Sequence, residues 1–162
     1  MSNENRSLEQ IYRSAVSGLY ARLKSNYDYI YRRFGDEGIK LIADMSREYG
    51  LVVAIRARSK LDSTDLMSVA KYLIRIFETV CWGKGAIRFS EISPTRVVIR
   101  ADECPLHFDI PEMCLAHTTM EKTVVEELNA GLSYRIGKSI PCGDAYCEHI
   151  VEINYKEDSS GH

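Results

Sequence analysis

Four of the five cysteines and three of the four histidines lie between Glu103 and Ile153, at intervals that suggest chemistry. Cys114 follows Pro111-Glu112-Met113, a pattern that opens a helix, so its thiol belongs to a first turn, where the helix dipole favours a thiolate. His117 falls on the same helical face and could serve as a base or a second ligand. Cys147 and His149 share one face of a strand and form a second pair of the same logic. Cys104, in the step Cys104-Pro105, closes an earlier strand. Three different elements could therefore deliver thiols to one place. Cys104, Cys114 and Cys147 could ligate zinc or another thiolate-bound metal, with sulfurs about 3.5 to 4 Å apart in a tetrahedral site. Alternatively, Cys114 or Cys147 is a nucleophile with His117 or His149 as acid/base, and Glu112, Asp144 and Tyr146 orient the substrate. A third reading packs the thiols as small core residues and makes His117 a hydrogen-bonded core histidine. Cys142 lies on a turn and His107 in a loop. Cys81 ends the apolar stripe of an earlier helix and is expected to lie apart from the other sulfurs, in the helical core. The chain has no Cys-x-x-Cys, no glycine-rich phosphate loop, no His-Glu-x-x-His and no Gly-x-Ser-x-Gly.

Hydrophobic periodicity places the elements that must carry these residues. From Ser7, the series Leu8, Tyr12, Ala15, Leu19, Leu23, Tyr27, Ile30 and Phe34 is one stripe of a long helix rich in tyrosine, ended or kinked at Gly35. A second helix starts near Asp36 and runs through Tyr49; Gly50 caps it or lies inside it, and the stretch from Leu51, which alone could be a short buried strand, reads as its continuation through Val52, Ile55 and Arg56. Asp62 or Ser63 caps a third, with the stripe Leu66, Val69, Ala70, Leu73, Ile74, Phe77, Val80 and Cys81. At Trp82-Gly83-Lys84-Gly85 the period changes to two. Residues 86–93 and 96–103 then read as a hairpin turning at Ser93-Pro94-Thr95. One helix follows from Pro111 to Leu128, burying Met113, His117, Met120, Val124 and Leu128. Strands at Leu132 to Ile136 and Cys147 to Ile153 flank the turn Pro141-Cys142-Gly143-Asp144, and Lys156 to His162 is a polar tail. The sum is an α+β fold, in which N-terminal helices (7–82) pack with a small antiparallel sheet of two hairpins separated by a helix (86–155).

The length of 162 residues suits a single domain with one core. A composition of 45% hydrophobic and 27% charged residues is that of a soluble globular protein. No run of about eighteen apolar residues is present, and a net charge of -2 with mixed signs gives no footprint for nucleic acid or for a membrane surface. With no secretory signal and an odd number of cysteines, the expectation is a cytoplasmic protein with reduced thiols. The partners expected are a small-molecule ligand and a second copy of the chain, a homodimer through Tyr12 to Phe34.

The Cys104-Pro105 step, Pro111-Glu112-Met113-Cys114, Asn129 and Lys138-Ser139 leading to Gly143-Asp144-Ala145-Tyr146-Cys147 resemble the L-2-amino-thiazoline-4-carboxylic acid hydrolase family. Phe34-Gly35-Asp36-Glu37-Gly38 and Tyr49-Gly50 extend the resemblance over most of the chain. It implies hydrolytic opening of a small sulfur and nitrogen heterocycle at a carbon-nitrogen bond, with the matched cysteines as functional candidates. More distantly, Gly-Asp-x-x-Cys is similar to the ending of 4-vinyl reductase type ligand-binding domains, which implies a non-enzymatic module enclosing an apolar ligand or a metal. Ser139 stands where a cysteine of that zinc pattern is expected.

Overall fold

A computed structural model describes residues 6–81 and 85–154. The expected tail and the Trp82 to Lys84 part of the expected switch point lie outside the described residues. Helix α1 (Leu8–Phe34) begins at a reciprocal cap in which Ser7 Oγ accepts from the Gln10 amide and the Gln10 side chain accepts from the Ser7 amide. It ends at Gly35, whose φ of 57° lets the chain reverse directly into α2 (Asp36–Arg58). Gly50 lies inside α2 rather than capping it. A Cβ there would sit 2.8 Å from both the Met120 carbonyl oxygen and the Thr123 Cβ, so glycine lets a second helix approach to backbone contact.

Helix α3 (Leu66–Glu78) is capped by Asp65, whose Oδ1 accepts the Ser68 amide at 2.8 Å; the expected cap at Asp62 or Ser63 is displaced. Strands β1 (Ile87–Ile92) and β2 (Arg96–Ala101) form the first hairpin. The single helix expected from Pro111 to Leu128 is two, α4 (Pro111–His117) and α5 (Thr119–Leu128). The step occurs at Thr118, whose hydroxyl donates to the Cys114 carbonyl at 3.0 Å; such back-bonding bends a helix. Strand β3 (Leu132–Ile136), a short 3₁₀ turn (Ile140–Cys142) and strand β4 (Cys147–Ile153) complete the chain.

The fold is α+β, and the two hairpins join in one antiparallel sheet of order β1-β2-β4-β3. In the central pair, Ala101 faces Cys147, Ile99 faces His149 and Val97 faces Val151. Strand alternation therefore turns Cys147 and His149 toward the helices. Buried side chains form two clusters. One, around Leu73, Phe77, Ile99, Val124, Tyr134 and Val151, joins α3 and α5 to the sheet. The other, around Tyr27, Ile42, Phe108, Met113 and Cys114, joins α1, α2 and α4. Helix α2 packs most heavily on α5, through Gly50. Among the described residues no helix is long and apolar enough to cross a membrane.

Candidate functional site

A cavity of about 380 Å³ opens where the two clusters meet, lined by α1, α2, α3, α4, α5, the sheet and the loop after β2. This is within the size range of small-molecule sites. Cys104, Cys114, Cys147, His117 and His149 all line it, so these five side chains share one cavity. Cys81 lines it too. It does not lie apart in the helical core, because α3 ends at Glu78 and the last residues of the stripe turn toward the cavity.

The electrostatics differ from what the sequence suggests. Burial pushes the Cys114 thiol up to about 12, outweighing a hydrogen bond from Ser139, whose Oγ is 4.0 Å from the sulfur. The expected thiolate at a helix N-terminus is thus overturned by desolvation. Cys81 is likewise pushed up to about 12 by burial, and Cys147 is raised by burial against the opposing Ile140 amide, 3.3 Å from its sulfur. Burial holds both His117 and His149 down at about 4. Each is pinned through Nδ1 to a phenol, His117 to Tyr27 at 3.3 Å and His149 to Tyr134 at 2.6 Å. At neutral pH both imidazoles are uncharged.

The expected metal set shares the cavity, but among the described residues no three His, Cys, Asp or Glu side chains are grouped so as to hold a metal ion. The expected substrate-orienting residues lie elsewhere. Glu112 is exposed on α4. Asp144, also exposed, accepts the Ser139 amide at 2.8 Å and shapes the turn. Tyr146 stacks under the Arg100 guanidinium at 3.6 Å and takes a hydrogen bond from Lys138. None of the three lines the cavity.

Tyr20 and Tyr27, from the tyrosine-rich helix that could line a ligand pocket, are on the cavity wall, whereas Glu121, a 5% exposed carboxyl, and the ring of Phe108 were not singled out in the sequence. A signal for Glu121 was present: 117, 121, 124 and 128 follow one helical face, so it lies in a buried stripe. Burial pushes its carboxyl up to about 7.

The fold is shared with a solved trafficking subunit. That structure is a trafficking protein particle complex subunit 3 from Naegleria fowleri covalently bound to palmitic acid, and the likeness has a TM-score of 0.61 at 14% identity, covering 84% of this chain and 95% of that one. At such identity the likeness concerns fold alone. No family model and no curated protein matches the chain.

Proposed function

We propose that this protein binds an apolar small molecule in the cavity between its helices and sheet, without turning it over. The observation that carries this reading is the cavity itself, about 380 Å³ and lined mainly by aromatic and aliphatic side chains, with thiols and imidazoles that are neutral near pH 7. A nucleophilic cysteine needs a thiolate, and a thiol near 12 supplies about one in 10⁵ at pH 7. The palmitic acid on the trafficking subunit supports the idea that this fold accommodates apolar chains. The five free cysteines fit the reducing cytoplasm expected from the sequence. Native mass spectrometry of protein purified without detergent is expected to reveal a copurified small molecule lost on denaturation. Only the bare chain mass, together with no uptake of any added apolar probe, refutes the reading.

A second reading, hydrolysis of a heterocycle such as 2-aminothiazoline-4-carboxylate, is favoured by one observation: Glu121, at about 7, is poised as a general base beside Cys114 and His117. Turnover of that compound by the wild type, abolished in Glu121→Gln, decides for it; absence of turnover decides against it.

We also propose a homodimer. Leu8, Ile11 and Leu19 on α1, and Leu41, Met45, Tyr49, Val52 and Ile55 on α2, are exposed apolar residues along two adjacent helices. Light scattering is expected to give twice the chain mass, and a monomer at micromolar concentration removes the proposal.

A further inference from the structure

If the cavity is a ligand site, as proposed above, its lining also specifies the polar end of the ligand. Among the described residues two carboxyl groups line it. Glu103 is exposed, whereas Glu121 is buried, and its Oε2 has no hydrogen-bond partner. A buried carboxyl oxygen without a donor is costly, and among the described residues no lysine or arginine lines the cavity to supply one. Ser46, whose Oγ is also without a partner among the described residues, is the other unsatisfied polar group on this wall, and a cationic donor on the ligand would satisfy the carboxyl most strongly. The same wall carries Tyr20, Tyr27, Tyr49, Phe77 and Phe108, whose ring faces attract a cation as well as an apolar body. A carboxylate or phosphate head would meet Glu121 as a like charge. A hydroxyl would gain a hydrogen bond but no attraction to the rings. We propose that Glu121 is the counter-ion for the protonated amine of an apolar amine held in this cavity.

Tyr20 and Tyr27 on α1, Cys114 on α4 and Tyr134 on β3 lie within electrostatic reach of Glu121, and the cavity's other polar and titratable groups are Ser46 and Tyr49 on α2, Cys81 after α3, Glu103 and Cys104 after β2, His117 on α4, and Cys147 and His149 on β4. Burial raises the phenols of Tyr20, Tyr27 and Tyr134 and the thiols of Cys81, Cys114 and Cys147, and it lowers both histidines. That leaves Glu121 as the member of this set pushed to neutrality. The exchange balances as follows: an ammonium ion enters, the Glu121 carboxyl loses its proton to the buffer, and an ion pair remains.

The experiment is calorimetric titration with decylamine, decanol and decanoate, which share one tail, at pH 6 and pH 8. We expect wild type to bind decylamine on the order of tenfold tighter than decanol at pH 8. At pH 6 binding should be about tenfold weaker than at pH 8 and release close to one proton, seen as a buffer-dependent heat. Glu121→Gln is expected to lose the amine preference, the pH dependence and the proton release together. Equal affinity for amine and alcohol, or an unchanged amine affinity in Glu121→Gln, overturns the proposal while leaving the apolar-ligand reading standing. Failure of all three tails to bind overturns that reading instead. If Glu121→Gln does not fold, proton release by the wild type decides alone: its absence at pH 6 overturns the proposal.

Discussion

Replacing Glu121 by glutamine should make the protein more stable at alkaline pH and leave it almost unchanged at acid pH. The carboxyl is raised from an ordinary 4.5 to about 7 by burial, so the folded protein keeps a proton that the unfolded chain gives up. Between those two values folding carries an extra proton, and stability falls as pH rises, by about 1.4 kcal/mol per unit. Across the window the cost reaches about 3 kcal/mol, complete above pH 8 and absent below pH 4. The two histidines act in the opposite sense. Lowered from 6.5 to about 4, they contribute stability present above pH 6.5 and lost as pH falls. The wild-type profile alone therefore mixes both effects. The difference between wild type and Glu121→Gln isolates the carboxyl, because the histidine contribution is common to both. Urea unfolding at pH 5 and pH 8 is the assay. The variant's advantage at pH 8 should exceed that at pH 5 by about 2 to 3 kcal/mol. A difference that stays constant with pH would refute the reasoning, since it would mean that Glu121 ionises in the folded protein as readily as in the unfolded one.

Three further outcomes are expected. Gly50→Ala should destabilise the protein by about 1 to 3 kcal/mol in urea unfolding, although alanine favours helices, because its Cβ would meet the Met120 carbonyl at 2.8 Å; a gain in stability would show that α5 can retreat. On acidification from pH 6.5 toward pH 4, Glu121→Gln, which lacks the opposing carboxyl, should lose several kcal/mol as the unfolded chain takes up protons that buried His117 and His149 refuse, measured by circular dichroism in urea. Iodoacetamide at pH 8 should alkylate exposed Cys142 well before buried Cys114 and Cys147, read by peptide mass spectrometry; comparable rates at Cys114 and Cys142 would contradict a desolvated thiol.

The helices and hairpins were legible because their periods are clean, and the convergence of Cys104, Cys114 and Cys147 followed from the short connections between their elements. The step at Thr118 was not legible, since Met113, His117, Met120, Val124 and Leu128 keep one period across it. The cap of α3 was ambiguous because Asp62, Ser63 and Asp65 lie within four residues, and only geometry shows that Asp65 accepts the Ser68 amide. Periodicity also cannot say what covers a stripe. Leu8 and Leu19 belong to the apolar series of α1 yet are 82% and 67% exposed. The protonation states reversed because helix position raises the expectation of a thiolate, while burial, which sequence does not reveal, outweighs it at Cys114.

The central claim, an apolar ligand site at the junction of the two clusters, is tested most directly by fluorescence titration with the neutral apolar probe N-phenylnaphthylamine, in wild type and in Cys104→Trp. Cys104 is half-buried at the edge of the second cluster and borders both the cavity and the adjoining surface cleft, so an indole there fills space at the rim of the cavity. Wild type should bind the probe at micromolar concentration with enhanced fluorescence, and Cys104→Trp, folded by circular dichroism, should bind it at least about tenfold more weakly. A folded wild type that does not enhance the probe, or equal binding by both proteins, would contradict the account.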